Sequence, residues 1–199
     1  VPHGADVGLF AVPLGDVFQA ARRYLEARHG SVELGSRVER VLVVGCRATG
    51  VQLADSRTME ADAVIVAVPP YALAELTSGV PELDPAVGAA RRLEWAPIVN
   101  VHLTFDRKVL DDAFAVAIDS PVQAIFTLAD VPIPAGASSE SQTIVLSQSA
   151  AAEWIGQTDA QIVSKLLDAL RDLLPAERDA KLLDSLVLRH RKATFVPAL

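Results

Sequence analysis

The chain has 199 residues, of which 51% are hydrophobic, and it carries a net charge of -7. This length and composition exclude a disordered chain and allow one large domain or two small ones. The negative charge opposes a phosphate backbone, so we expect no nucleic-acid partner. The single cysteine, Cys46, excludes an internal disulfide and favours a reducing cytoplasm. No apolar run reaches the ~18 residues of a membrane-spanning helix.

The first predicted element is an amphipathic helix that begins after Gly15-Asp16. Its apolar face has helical spacing and consists of Val17, Phe18, Ala21 and Leu25. Gly30 stands where a residue in the left-handed conformation would end this helix. Short strands separated by turn residues follow, at Ser31–Leu34, Val38–Cys46, Val51–Ala54 and Thr58–Ala61. Together these strands predict a β-meander.

The next segment, Ala63–Val68, is an unbroken apolar run rich in β-branched residues. Such a run is typical of a strand that is buried on both faces. Pro69-Pro70 ends the strand, because two consecutive prolines lack the backbone donors that would extend it. A connecting region with short helices is expected at Leu73–Arg92, and we place a domain boundary near residue 80.

The middle of the chain alternates between polar and apolar positions. Ile98, Asn100, His102 and Thr104 fall on one face of a predicted strand, and Val99, Val101, Leu103 and Phe105 fall on the other. A polar face opposite a wholly apolar one indicates a strand with the core on one side only.

The remaining elements are strands around one regular helix. Strands are expected at Ala113–Ile118, Val122–Leu128, Thr143–Ser147 and Leu182–Phe195, with a loop of small residues at Pro132–Ser141. Thr158 and Gln161 form a capping box that opens a helix extending to Leu174, before Pro175. The one dense basic run, at residues 189–192, is interpreted as a strand end rather than a nucleic-acid-binding arm.

Motifs for a self-contained active site are absent from the sequence. There is no Gly-x-Gly-x-x-Gly and no Walker loop. The four histidines have no partner at metal-ligand spacing, so no metal site is expected. His102 is the most interesting of them because of its place on the polar strand face. The alternative, a histidine satisfied within the sheet, is the more common case.

The order of these elements resembles the middle of the flavin-containing amine oxidases and phytoene-desaturase-like enzymes. The resemblance rests on Gly30–Val41 and on Ala61–Pro70. Two more segments, Pro97–Arg107 and Arg191–Phe195, resemble more narrowly the squalene-associated branch, the hydroxysqualene dehydroxylases. The resemblance covers nearly the whole chain.

The resemblance implies a mixed α/β (α+β) fold in three parts. Residues 1–80 would be part of an FAD-binding domain, residues 81–185 an antiparallel-sheet substrate domain with flanking helices, and residues 186–199 a return strand toward the FAD domain. The family's glycine-rich phosphate loop and its C-terminal flavin-contacting segment do not occur in these residues. The chain therefore resembles a central excerpt of such an enzyme.

The resemblance also implies site residues. The backbone of Val38 would border the adenine of FAD, and the corner Ala67-Val68-Pro69 would lie near the dinucleotide. Without the resemblance, Val38 is equally natural as a core residue. Asn100 stands where many amine oxidases have a lysine whose water bridges to the flavin, and Asn100 and His102 would face the substrate or the flavin. A neutral amide cannot supply the charge of lysine, although it can hold a water, and this favours isoprenoid chemistry.

The implied reaction is the dehydroxylation of hydroxysqualene, in which reduced flavin delivers hydride to an allylic carbon as the hydroxyl leaves. The substrate would be an apolar small molecule, and the acid that assists the leaving hydroxyl is not identified. The alternatives are an amine oxidase, a carotenoid desaturase, and a non-catalytic domain that binds an apolar ligand or another protein.

An excerpt of this kind has predictable properties. We expect it to bind FAD weakly or not at all and to be inactive alone, because dinucleotide affinity depends on the glycine-rich turn. We expect exposed apolar surface around Val64, Val66 and Phe195, and from this a homo-oligomer formed through exposed strands. Peripheral membrane contact is a further expectation for the full-length protein.

Overall fold

The computed structural model describes residues 8–10, 12–77, 80–128 and 137–197. It has the mixed helix and strand composition that the sequence predicts, with two separate antiparallel sheets. The chain folds as two compact units, a first unit, Val1–Arg91, and a second unit, Arg92–Leu199. The division therefore falls at the end of the connecting region, later than the boundary expected near residue 80.

The first unit contains a long helix, a three-stranded meander and two short helices. Its elements are α1 (Leu14–Glu26), β1 (Val38–Val44), β2 (Arg47–Leu53), β3 (Thr58–Glu60), α2 (Pro70–Leu76), a 3-10 turn (Pro81–Leu83) and α3 (Asp84–Arg91). The strands pair antiparallel in the order β1-β2-β3. The predicted first helix, meander and short helices are confirmed.

The end of α1 differs in detail from the prediction. The left-handed residue is His29, with φ of 62°, and not Gly30. The Gly30 N–H donates to the carbonyl of Leu25 at 2.9 Å, and a Cβ at this glycine would lie 3.1 Å from the same oxygen. Gly30 is thus suited to close approach of the returning backbone rather than to a positive φ.

Two predicted strands of the first unit do not form. Ser31–Leu34 has no strand structure and pairs with none of the described strands, although the turn expected after it is present at Gly35, where φ is 72°. Ala63–Val68 is not a strand either, and its backbone makes no hydrogen bond with other described residues. A strand buried on both faces needs neighbours on both edges and layers on both sides. In this structure Ile65 is 92% exposed instead.

One side of this segment is nevertheless partly covered. Val64 and Val66 line an apolar cavity of about 200 Å³ together with β1 residues, and the other lining residues are Cys46, Ala48, Val80, Glu82 and Leu83. The segment therefore alternates between half-buried and exposed side chains. The expected exposed apolar surface around Val64 and Val66 is present as Ile65, which is 92% exposed, and Val68, which is 37% exposed, whereas the side chains of Val64 and Val66 are themselves half-buried.

The second unit is a five-stranded antiparallel sheet with one long helix. Its elements are β4 (Trp95–Phe105), β5 (Phe114–Val116), β6 (Ala124–Leu128), β7 (Gln142–Gln148), a 3-10 turn (Ala152–Trp154), α4 (Asp159–Leu173), a 3-10 turn (Pro175–Asp179) and β8 (Leu182–Phe195). The strand order is β5-β6-β7-β4-β8. Residues 132–136 of the predicted loop lie outside the described residues.

The core of the second unit lies between the sheet and α4. On β4 the side chains of Val99, Val101, Leu103 and Phe105 are all 0% exposed. The helix contributes Ile162, Leu166 and Leu170, and β7 contributes Ile144 and Leu146. This confirms the prediction that β4 has the core on one side only.

Helix α4 begins as predicted. The Thr158 hydroxyl accepts a hydrogen bond from the Gln161 backbone N–H at 3.3 Å, and the Gln161 side chain accepts one from the Thr158 N–H at 2.9 Å. Such reciprocal caps satisfy two backbone donors that a helix start leaves unpaired. The helix start is therefore specified by local sequence.

The last strand belongs to the second unit over its whole length. β8 pairs antiparallel with β4 from Leu182 to Phe195, and it forms the edge of the sheet. Its bounds agree with the predicted strand, and Phe195 is exposed as expected. The predicted return of residues 186–199 toward the FAD domain stays a prediction.

Candidate functional site

The side of the second sheet opposite α4 is here called the outer face. On β4 it consists of Ile98, Asn100, His102 and Thr104, as the alternation predicts. The neighbouring strands add register partners to these positions, namely Val145, Ser147, Leu186 and Leu188. β6 and β5 extend the face with Phe126 and Phe114.

Three half-buried polar side chains lie together at the centre of the outer face. Asn100 and His102 are two residues apart on one strand, and Ser147 is the register partner of Asn100 on β7. Directly paired side chains on one face of a sheet have Cβ atoms about 4.5–5.5 Å apart. We call Asn100, His102 and Ser147 the polar cluster.

The polar cluster differs from the other polar pair of the same face. The Thr104 and Thr143 hydroxyls are hydrogen-bonded to each other at 2.9 Å, and both residues are buried. In contrast, the side chains of the polar cluster make no hydrogen bond with other residues that the structure describes. They are thus available to a molecule placed on the outer face.

The environment of His102 favours the neutral form of its side chain. Burial against the sheet lowers the pKa of its imidazole below the usual 6.5, because desolvation penalises the charged form. A neutral imidazole offers one N–H donor and one nitrogen acceptor. Asn100 and Ser147 also have donors and acceptors, so the cluster can bind a hydroxyl group either as a hydrogen-bond donor or as an acceptor.

The surroundings of the polar cluster are apolar. Leu186 and Leu188 flank it on β8 and are both exposed. On the opposite side, the Phe114 and Phe126 rings pack at 4.9 Å between centroids. The register places Asp184 and His190 toward the two ends of β8, opposite Thr104 and Ile98. The face is therefore an apolar floor with a neutral polar centre.

The predicted flavin-contacting residues lie in the first unit. Val38 is the first residue of β1, is half-buried, and pairs with Leu53. Ala67 and Val68 are exposed, and Pro69 precedes α2 as its N-cap, with its carbonyl accepting from the Ala72 N–H. Whether these residues contact a dinucleotide stays a prediction.

The chemistry of these residues fits a bound dinucleotide. The side chains of Val38, Ala67, Val68 and Pro69 are apolar, so only main-chain groups could bind polar parts of a cofactor. The backbone of residues 63–68 is unpaired among the described residues, so its N–H and C=O groups are available for that purpose.

Other candidate chemistry is limited. Within the described ranges no group of three or more His, Cys, Asp or Glu side chains could hold a metal ion, and His3 lies outside them. No helix in the part of the chain that is described is long and apolar enough to cross a membrane.

The basic run has a structural role. Residues 189–192 lie inside β8 and not at its end, so the prediction that this basic run forms the end of a strand is wrong. Arg189 pairs with Asp159 at 2.6 Å and donates to the Gln157 carbonyl at 2.8 Å.

Sequence reasoning missed Ser147 as a member of the polar cluster. It lay at the end of a predicted strand, but its partner on β4 depends on register, which a single sequence does not give. It also missed Gln142, whose buried amide bonds to the backbone N–H groups of Val109 and Leu110 and to the carbonyl of Leu110.

The chain belongs to the family of flavin-containing amine oxidoreductases, whose family model matches residues 10–194. This confirms the superfamily resemblance drawn from the sequence. The narrower resemblance to the squalene-associated branch stays a prediction.

Curated relatives lie in the phytoene-desaturase part of this superfamily. The 15-cis-phytoene desaturase of Capsicum annuum is 24% identical over 173 residues, which is 84% of this chain and 29% of that protein. The corresponding enzyme of Glycine max is 27% identical over 176 residues, 84% of this chain and 30% of that protein. The chain thus spans about a third of the length of these relatives.

Solved structures share the fold. An oxidoreductase from Methanosarcina mazei has a TM-score of 0.70 at 19% identity, covering 88% of this chain and 42% of that one. A putrescine oxidase variant has a TM-score of 0.66 at 18% identity, covering 85% of this chain and 37% of that one. These likenesses confirm the mixed α/β fold.

Proposed function

We propose that this chain is part of an FAD-dependent oxidoreductase that acts on isoprenoid lipids, and that its reaction is the dehydroxylation of hydroxysqualene. The observation that carries the proposal is the combination of a flavin-family match with an outer face that has Asn100 at its polar centre. The activity belongs to the complete protein, since this chain spans only a part of its relatives.

The chain's own residues would contribute to cofactor binding through the backbone. Val38 and the corner Ala67–Pro69 would bind the dinucleotide by main-chain groups, and Val64 and Val66 would support the corner through the apolar cavity. When bound in its reduced form, the flavin would supply hydride. In the complete enzyme a C–H bond would replace the C–O bond, and the hydroxyl would take a proton from solvent and leave as water.

The outer face supports a lipid as substrate. An apolar floor that includes Phe126, Leu186 and Leu188 would cover a hydrocarbon chain and exclude water from the reacting carbon. Asn100 would orient a hydroxyl or a water rather than supply positive charge. The curated relatives, named as phytoene desaturases, support an isoprenoid as the substrate class.

Two other enzymatic functions are alternatives. A carotenoid desaturase is favoured by the names of the curated relatives, and it would require an oxidised flavin to accept hydride. An amine oxidase is favoured by the fold shared with putrescine oxidase. A non-catalytic lipid-binding or interaction module is a third alternative, favoured by the lack of a glycine-rich loop in this sequence.

The partners and location follow from the same proposal. We propose an apolar small-molecule substrate, no nucleic-acid partner, a cytoplasmic location with peripheral membrane contact, and oligomerisation through exposed strands. Residues 1–199 alone would bind FAD weakly and lack activity, because the glycine-rich turn is not among them.

The test uses the complete gene product, with any sequence that flanks these residues. The purified protein is reduced anaerobically and mixed with hydroxysqualene, and squalene formation is followed by mass spectrometry together with flavin reoxidation. Squalene in amounts that match the flavin oxidised would support the proposal. Desaturation of phytoene by the oxidised protein, or amine-dependent formation of hydrogen peroxide, would overturn it in favour of the respective alternative. A preparation that contains no flavin would favour the non-catalytic module.

A further inference from the structure

We infer that the polar cluster, Asn100, His102 and Ser147, is the binding site for the single hydroxyl group of an otherwise apolar, neutral substrate. The inference rests on the proposed function, which it deepens by naming the residues that recognise the substrate. It also assigns a role to Ser147, which the sequence did not indicate.

The first argument is that these side chains lack partners. They are half-buried at the centre of the sheet, and none of them has a hydrogen bond to another described residue. The Thr104–Thr143 pair shows that polar side chains on this face can satisfy each other when no ligand is needed. A ligand that covers the cluster without a polar group would leave these donors and acceptors unsatisfied, which is costly.

The second argument is electrostatic. The polar cluster has no carboxylate among its register neighbours on β7 and β8, which are Val145, Leu186 and Leu188. Asp184 and His190 lie further along β8, opposite Thr104 and Ile98. An ammonium group placed at the centre would therefore lose its hydration without gaining an opposite charge. A neutral hydroxyl would gain hydrogen bonds at a much smaller desolvation cost.

The third argument is the distribution of apolar residues. They lie on both sides of the cluster across the strands, with Leu186 and Leu188 at one edge and the Phe114–Phe126 pair toward the other. Neighbouring strands are about 4.8 Å apart, so a five-stranded sheet is about 20 Å wide. A long chain lying across the strands would place its hydroxyl over β4 and hydrocarbon on either side.

The experiment measures discrimination between two ligands that differ only in the hydroxyl. Hydroxysqualene and squalene are titrated separately into the complete, detergent-solubilised protein, and binding is measured by equilibrium dialysis of the radiolabelled ligands. We expect the wild-type protein to bind hydroxysqualene about tenfold more tightly, the effect of one net hydrogen bond.

The variants test the assigned residues against a matched control. Asn100→Leu keeps a similar side-chain volume, and we expect it to lower the tenfold discrimination to about twofold or less, mainly by weakening hydroxysqualene binding. Ser147→Ala and His102→Gln test the other two members, and they carry the test by themselves if Asn100→Leu does not fold by circular dichroism. Thr104→Val, on the same face but with a hydroxyl already paired to Thr143, should keep the discrimination.

The outcomes separate this inference from the proposed function. Squalene formation with equal binding of both ligands would overturn the inference and leave the proposed function standing. Discrimination that persists in all three cluster variants would also overturn it, and so would its loss in Thr104→Val alone. Oxidation of an amine, with no binding of either lipid, would overturn both.

Discussion

The two units differ in how they bury apolar side chains. In the second unit, Phe105 and Leu166 are completely buried between the sheet and α4. In the first unit, α1 has no buried residue, and Phe18 on its apolar face is 73% exposed. Both units contain amphipathic helices with capping or turn signals at their ends. The difference lies in whether the described residues include a partner for the apolar face.

This comparison shows what an apolar pattern can and cannot tell. The apolar run at Ala63–Val68 and the apolar face of α1 indicate that these segments pack against other apolar surfaces. The pattern does not indicate which segment provides the packing partner. The chain spans about a third of its curated relatives, so the cover need not lie within residues 1–199. Four predictions test the contrast, in order of decreasing expected effect.

The largest effect is expected for a large core side chain. Phe105→Ala should lower the free energy of unfolding by about 3–5 kcal/mol, because it removes a buried ring and leaves a cavity. Phe18→Ala, the matched change in α1, should change it by less than about 0.5 kcal/mol. Both tryptophans, Trp95 and Trp154, lie in the second unit, so their fluorescence in urea reports the effect of Phe105→Ala, and hydrogen exchange of the β1 to β3 amides reports the effect of Phe18→Ala on the first unit. Equal shifts in the two variants would contradict the contrast.

The second prediction compares two buried glutamines on β7. The Gln142 amide accepts from the N–H groups of Val109 and Leu110 and donates to the Leu110 carbonyl. Gln142→Leu would leave these groups unpaired and should cost about 3 kcal/mol. Gln148 is also buried, but neither its amide nitrogen nor its amide oxygen has a partner among the described residues. Gln148→Met should therefore be neutral or stabilise by about 1 kcal/mol.

Urea unfolding followed by tryptophan fluorescence would measure both glutamine variants. Hydrogen exchange of residues 106–112 provides a local readout, since only Gln142→Leu should accelerate it. A loss of stability in Gln148→Met as large as that in Gln142→Leu would show that the Gln148 amide is paired in solution.

The third prediction concerns the hairpin of the first unit. Gly50 on β2 has φ of 150°, and a Cβ there would overlap the Met59 carbonyl oxygen on β3. Gly50→Ala must displace β3 and should cost about 2–3 kcal/mol. Gly45→Ala, at a turn with φ of 60° and open space, should cost about 1 kcal/mol. Hydrogen exchange of the β2 and β3 amides would distinguish the two, and similar exchange rates in both variants would refute the steric argument.

The parts of the fold that the sequence predicts are those with local signals. The Thr158–Gln161 capping box, the alternation along β4 and the meander of β1 to β3 are each specified within a few residues, and the structure confirms them. Ala63–Val68 failed because strand formation depends on neighbours distant in sequence. The left-handed residue at the end of α1 is His29, one position before the predicted Gly30. A glycine after a helix can serve either to adopt a positive φ or to let two backbone segments come close, and Gly30 does the second, beside the Leu25 carbonyl.

The residues of the candidate site also fall into those that a local sequence pattern predicts and those that depend on contacts distant in sequence. The period of two placed Asn100 and His102 on one face of β4 without any knowledge of the fold. Ser147 required the β4–β7 register, and the flavin-contacting roles of Val38 and Ala67–Pro69 came only from family resemblance. These roles and the substrate therefore remain proposals, whereas the polar face itself is an observation.

The smallest predicted effect is a pH dependence in the second unit. Glu177 is 3% exposed, its Oε2 accepts no hydrogen bond from the described residues, and that oxygen lies 3.6 Å from Nε of Arg171. Burial raises the pKa of this carboxyl above its usual 4.5, and the Arg171 charge offsets only part of the shift. The folded state thus keeps the proton to higher pH than the unfolded state. The resulting stabilisation is complete below the unfolded pKa and is lost as pH rises through the folded pKa.

Glu177→Gln stays neutral, so its stability relative to wild type should increase as pH rises through this range. Urea midpoints measured from about pH 4 to pH 8 would show the difference, with Asp172→Asn, an exposed carboxylate on the same helix, as the control. A stability difference that is constant across this range would show that Glu177 titrates alike in the folded and unfolded chain.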